Sequence, residues 1–371
     1  MNRPYWITGG QALIEGKPRR DYSVLVENGR IAAVGEAREA AGDVRRLRDD
    51  QWLLPGLIDV QANGGGGVLF NDAPERLGEI IAAHRALEVA SIMPTLITDA
   101  PALMHRAVAA VLAAGDDVVG LHLEGPFISS ARPGIHHPGF IRKMEPEDVL
   151  YLCDLAARLA PGKLLITLAP EEVDDAHLTA LARAGVILSI GHTVASYERC
   201  REALALGVRG FTHLWNAMPG PTARAPGPVI AALEQGFCGV IADRIHVDRA
   251  NLAHTLSVKR AGTVFLVSDA MSVAGSGISG FSLQGRRIHR DSGRLLGEDG
   301  TLAGADLDLR TAVTNAVEWL GLGFWQAWTM ASEIPAKFLG LADRGRIAPG
   351  CRAGFVIDSS PSFAISMNER P

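Results

Sequence analysis

Cysteine is scarce in this chain. The four cysteines among 371 residues, Cys153, Cys200, Cys238 and Cys351, lie far apart and form no CxxC pair. They read as isolated apolar thiols, which excludes a disulfide framework. Long apolar runs are also missing. The most apolar tract, AVAAVLAAG at 107–115, is about half the length of a membrane span. The opening MNRPYWITGGQALIEG lacks the apolar stretch of a secretion signal, so a reducing cytoplasm is the expected location and no membrane partner is expected. No basic block or arm appears, and 36 basic against 41 acidic residues leave a net charge of −5. That balance argues against a nucleic-acid partner. An anionic small substrate would need its positive counter-charge supplied locally.

What is present is an ordinary globular composition, 47% hydrophobic and 21% charged, which excludes wholesale disorder. The length suits roughly two domains, or one barrel-sized domain with an accessory. Over 1–52 the segment YSVLVENGRIAAVGE alternates apolar and polar residues around Asn28-Gly29, a favoured hairpin turn. The stretch GRIAPGCRAGFVIDSS at 345–360 repeats the pattern with a Pro-Gly turn and a short β-prone run. Residues 1–52 and 345–371 are therefore expected to form one small β-sandwich domain, with 53–344 inserted between them.

From Leu53 the texture becomes strand, polar loop, amphipathic helix, repeated. Eight short apolar runs stand out, at 53–60, 91–98, 117–123, 163–169, 185–190, 210–214, 237–242 and 263–268. Apolar strands alternating with helices indicate parallel pairing buried on both faces, and eight units predict an α/β fold of the (β/α)8 TIM-like barrel type. An open doubly wound sheet is the alternative, but no GxGxxG follows the first run.

Chemistry in such a barrel sits at the carboxyl ends of the strands. Glu124 (LHLEGPF), His192 (SIGHT), His213 (FTHLWNAMPG) and Asp269 (VSDAM) fall at the ends of the third, fifth, sixth and eighth runs. Two imidazoles and a carboxylate form a recurrent ligand set for a catalytic zinc, leaving one position open. A spare carboxylate such as Asp269 can move a water proton. Each residue has a plain alternative: a strand-end histidine hydrogen-bonded in the core, or a glutamate capping a loop. His136 and His137, in SSARPGIHHPGF, lie in a loop long enough to fold over the third strand, where a histidine could polarise a carbonyl or simply face solvent. Arg224 and His246 could hold an anion or be surface cations. The glycines of NGGGG at 63–67 invite a phosphate cradle but lack a P-loop ending and equally suit a tight turn. His122 is read as structural.

Taken together, LPGLIDVQANGGGGVLFND, LHLEGPFIS with PGIHHP, LAPE, SIGHT, THLWNAM, IADRIHVD, VSDAM, LAGADLDL and GRIAPG resemble the amidohydrolase superfamily. Within it they resemble the N-acetylglucosamine-6-phosphate deacetylases, in order and over nearly the whole chain. The resemblance implies hydrolysis of N-acetylglucosamine 6-phosphate to glucosamine 6-phosphate and acetate, and a homodimer with phosphate contacts near the subunit boundary. It implies Glu124, His192 and His213 as ligands of one divalent ion per subunit, expected to be Zn2+, with Asp269 as catalytic acid and base. His136 matches the residue near the substrate carbonyl. Ile135, Asn216, Ala217, Asp243, Leu302, Ala303 and Gly304 match substrate-binding positions, and Arg224 and His246 match phosphate-holding ones. Many amidohydrolases carry His-x-His after strand one; here Asp59-Val60-Gln61 replaces it, which implies a single ion, with Gln61 lining the site. The alternatives are deacetylation of the galacto epimer or another N-acyl amino sugar, and, outside enzymes, a non-catalytic scaffold of the same fold.

Overall fold

The computed structural model describes residues 3–359. Parts of the expected small domain, at 1–2 and 360–371, lie outside the described residues. The eight apolar runs form one parallel sheet in chain order: Leu57–Ala62, Val89–Ile97, Gly120–Glu124, Lys163–Leu168, Ile187–Ile190, Gly210–Phe211, Phe237–Val240 and Val264–Leu266. A parallel bridge between Ala62 and Ala270 draws the last edge back to the first. The sheet is thereby a nearly closed barrel, and helices between the strands cover it. These helices are amphipathic for the usual reason. In Pro146–Leu159, Val149, Leu152, Leu155 and Leu159 recur at three- and four-residue spacing and are all buried, giving a stripe that seats on the barrel. Tyr197–Ala205 begins where the Ser196 side chain accepts the Arg199 amide, satisfying an otherwise orphaned donor. Among the described residues, no helix is long and apolar enough to cross a membrane.

The run read as one strand over 53–60 is divided between two sheets. Val44–Pro55 belongs to a six-stranded sheet with Tyr5–Ile14, Ser23–Glu27, Arg30–Gly35 and Phe355–Asp358, while Leu57–Ala62 opens the barrel. Gly56 makes the crossing; a Cβ there would lie 2.3 Å from the Ala90 Cβ and 2.9 Å from the Gly354 carbonyl. In the terminal sheet, Asn28 and Gly29 both have positive φ, 49° and 74°, the turn expected between two antiparallel strands. The long pairing of Tyr5–Ile14 with Val44–Pro55 shifts register between Gly9 and Gln11. The sheet there wraps a core of its own, with Ile7, Tyr22, Val24, Val26 and Ile31 meeting Ala12, Ile14, Leu53 and Ile347. This is the small β-sandwich beside the barrel.

His122 has the structural place expected of it. Inside the barrel its Nδ1 meets Thr95 Oγ1 at 3.1 Å and its Nε2 meets Thr167 Oγ1 at 2.7 Å. Burial pushes its pKa down to about 4. An element the sequence reading did not anticipate follows the eighth strand: an antiparallel sheet of Gly280–Leu283, Arg286–Asp291 and Arg294–Gly297.

Candidate active site

Three strand ends converge at the mouth of the barrel. His213 Nε2 lies 3.0 Å from Glu124 Oε1, His192 Nε2 lies 3.3 Å from the same oxygen, and the two imidazole nitrogens stand 3.1 Å apart. Glu124, His136 and His192 can also each present a ligand atom within 4.8 Å of one another. All four side chains are buried. His192 and His213 have left-handed backbone, φ 48° and 31°, as does Asp269 with φ 51°. For residues other than glycine this conformation costs of order 1 kcal/mol each, and here it turns each side chain inward at the point where its strand stops. Behind His192, Glu171 of the LAPE segment accepts the Val194 amide at 2.6 Å and the Thr193 hydroxyl at 2.5 Å, fixing the turn.

Hydrogen bonds assign the tautomers of His192 and His136. His192 Nδ1 is 2.9 Å from the Arg132 carbonyl, which can only accept, so its Nε2 presents a lone pair to Glu124 and His213. The His192 lone pair and a carboxylate oxygen packed this closely repel one another unless a cation or proton lies between them, and His213 Nδ1, buried without a hydrogen-bond partner, leaves its Nε2 able to serve either as acceptor or as donor. The three spacings are those of a tetrahedral ion with bonds near 2.0–2.1 Å, whose ligand atoms lie about 3.3 Å apart. The donor set therefore fits a divalent ion. His136 differs. Its Nδ1 meets the Thr98 amide, a donor, at 3.3 Å and the Thr98 hydroxyl at 2.8 Å. A ring nitrogen accepting there places the proton on Nε2, 3.8 Å from Glu124 Oε2.

Asp269 stands beside this cluster. Its Oδ1 accepts from Asn63 Nδ2 at 2.7 Å and from Gln61 Nε2 at 3.1 Å, and Gln61 Nε2 also reaches Glu124 Oε1 at 3.2 Å. Burial, with the Glu124 charge added, pushes the Asp269 carboxyl up to about 7. Burial acts the same way on Glu124, but the two imidazoles packed against it outweigh burial and hold that carboxyl well below its ordinary value. Burial lowers His136 to about 3, which keeps the ring neutral with a single proton.

These groups line one cavity of about 470 Å³. Of the residues anticipated from sequence, Glu124, Ile135, His136, His192, His213, Asn216, Ala217, His246, Asp269, Leu302 and Gly304 line it. Gln61 lies beneath and acts through Glu124 and Asp269. Asp243 sits behind His246, accepting from its Nδ1 at 2.5 Å and from its amide at 2.8 Å, which turns the other ring nitrogen outward. Ala303 is fully buried, between two lining residues. Arg224 is exposed and is not among the cavity-lining residues. His137 is exposed and accepts the Gly139 amide. The NGGGG loop does not make a phosphate cradle: the amides of Asn63, Gly64, Gly66 and Gly67 all donate to carbonyls of residues 270–274. Sequence reading passed over Asn63, Thr98 and Glu171, whose work is to hold other side chains; for Glu171 the LAPE motif was the available signal.

Known proteins share the family and the fold of this chain. Residues 52–369 match the model of the amidohydrolase family. N-acetylgalactosamine-6-phosphate deacetylase of Shewanella sp. is 36% identical, over 94% of this chain and 90% of its own. Human N-acetylglucosamine-6-phosphate deacetylase is 33% identical, over 96% of this chain and 88% of its own. The solved N-acetylglucosamine-6-phosphate deacetylase of Pasteurella multocida superposes with TM-score 0.90 at 29% identity, covering 96% of this chain and 95% of that one. A variant of the Mycobacterium smegmatis deacetylase in complex with N-acetyl-D-glucosamine-6-phosphate gives TM-score 0.88 at 29% identity, covering 96% and 95%. With its barrel, its buried carboxylate–imidazole cluster and a match over most of its length, this chain belongs to the amidohydrolase family.

Proposed function

We propose that this chain hydrolyses the acetamide of N-acetylglucosamine 6-phosphate, releasing acetate and glucosamine 6-phosphate. The observation that carries the reading is a free carboxylate, Asp269, linked through the Gln61 amide to a buried Glu124–His192–His213 cluster and opening on the same cavity. Glu124, His192 and His213 would hold one divalent ion per subunit, with zinc suited to two nitrogens and one oxygen. Such an ion polarises the amide carbonyl and lowers the pKa of water. Asp269 takes the proton of the attacking water and then delivers it to the amine, which cannot leave as an anion. His136 donates its Nε2 proton as a hydrogen bond to the carbonyl oxygen as negative charge builds there. Gln61 occupies the place of a second-ion ligand with an amide N–H, which supports a single ion.

Asn216, Ala217, Leu302, Gly304 and His246 would hold the sugar and its phosphate, with Ile135 beside the acetyl group and Asp243 orienting His246. Arg224, exposed and not lining its own cavity, has the placement expected of a residue serving a partner subunit, which supports a homodimer. The same reading takes the protein as cytoplasmic and as a barrel over 53–344 with a small domain from 1–52 and 345–371.

A second reading is deacetylation of the galacto epimer, favoured by the 36% identity to the Shewanella N-acetylgalactosamine-6-phosphate enzyme. Acetate release from the two 6-phosphates, and from unphosphorylated N-acetylglucosamine, measured as kcat/KM, tests both. A preference for the gluco 6-phosphate supports the first reading; a preference for the galacto 6-phosphate supports the second. Equal turnover of the unphosphorylated sugar removes the phosphate from recognition.

A further inference from the structure

His136 sits in a loop whose regular structure, among the described residues, is limited to the short 3-10 turn Pro138–Phe140 that follows it. A hydrogen-bond donor useful to a developing oxyanion has to be held within a few tenths of an ångström. Two side chains outside that loop do the holding. They come from the unanticipated sheet after the eighth strand, where Gly280–Leu283 turns at Gln284-Gly285 into Arg286–Asp291. Gln284 Nε2 donates to the Thr98 carbonyl and to Asp99 Oδ2, both at 2.8 Å. Thr98 is the residue whose amide and hydroxyl meet His136 Nδ1. Arg286 Nη2 donates to the carbonyl of Ile135, the residue before His136, and reaches Gln284 Oε1 at 3.3 Å. The imidazole is thus gripped from its ring nitrogen on one side and from its own backbone on the other.

Two further features mark this as more than a surface turn. Gln284 and Gly285 have φ 50° and 80°, a turn that favours asparagine or glycine at both positions. A glutamine there carries strain of order 1 kcal/mol, and its side chain spans the distance to Thr98. The hairpin itself is anchored, since Leu283 and Ile288 are fully buried and pack with Ile97, Met271 and Ala303, with Ile135 against them. The clamp is therefore mounted on a rigid support.

We infer that Gln284 and Arg286 are positioning residues that hold His136 in register for the reaction. This rests on the proposed deacetylation and on the part His136 plays in it. The test uses the full chain, loaded with its metal and supplied with N-acetylglucosamine 6-phosphate. Arg286→Gln and Gln284→Ala are measured for kcat, KM, bound metal and thermal melting, in the parent and in a His136→Ala background. In the parent, each lowers kcat about 10- to 10²-fold, the cost of misplacing a catalytic group by about 1 Å, with KM and bound metal little changed. Arg286→Lys, which can still reach the Ile135 carbonyl, recovers part of the loss. In the His136→Ala background the same substitutions lower kcat no further, because the group they position is gone.

Parental kcat in both hairpin variants overturns the clamp, as does an equal loss in the two backgrounds, which would mark a general structural role. The two levels of the account separate cleanly. If His136→Ala lowers kcat while the hairpin variants do not, only the clamp falls. If His136→Ala keeps full kcat, the oxyanion role of His136 falls and the clamp with it.

Discussion

His192 Nε2 and His213 Nε2 stand 3.1 Å apart, and both face Glu124 Oε1. The Arg132 carbonyl holds the His192 proton on Nδ1, which leaves Nε2 able to take a cation, and the proposed function has the pair share one. His192→Asn and His213→Asn should each reduce bound metal well below one equivalent per chain, read by elemental analysis of dialysed protein. Activity should fall in parallel. Retention of a full equivalent by both variants would mean that the ion sits elsewhere.

Asp269 makes a different prediction because it is linked to the cluster only through Gln61. Asp269→Asn preserves shape and leaves the ligands untouched, so metal content should match the parent. Loss of the carboxylate proposed to transfer the proton should lower kcat by about 10²–10⁴, measured under saturating substrate. Parental kcat would take Asp269 out of the reaction.

Lys259 separates stability from chemistry. Its Nζ donates to the carbonyls of Ala232, Gln235 and Gly236, at 2.7, 3.1 and 2.6 Å, closing the end of the helix Gly227–Glu234. Lys259→Met keeps the aliphatic stem but leaves those carbonyls without a charged donor. Hydrogen bonds to charged groups contribute roughly 1.5–3 kcal/mol, so the melting temperature should drop by a few degrees while kcat and KM hold. An unchanged melting temperature would show that water replaces the amine without loss.

Much of this could be read from sequence, for a definite reason. Barrel strands are buried on both faces, so runs such as KLLITL and GVILSI are apolar nearly throughout and announce themselves. The same property hides boundaries. LLPGLIDV is continuous in character, and only the close approach of Ala90 and Gly354 to Gly56 reveals that the chain passes from one sheet to another there. Glu124, His192, His213 and Asp269 were legible because a polar residue at the end of an apolar strand is conspicuous. Asn63, Thr98, Gln284 and Arg286 were not, since each matters through a partner distant in the chain, and no local pattern marks such a contact. Arg224 shows the converse: its loop was legible, while its exposure and its absence from the lining of its own cavity are facts of packing.

The most direct test is a titration of metal-free protein with zinc while acetate release from N-acetylglucosamine 6-phosphate is followed by proton NMR. Activity should be absent at the start, rise in proportion to added ion, and level off at one equivalent per chain. No acetate with the ion bound, or full activity without it, would contradict a hydrolase built on Glu124, His192 and His213.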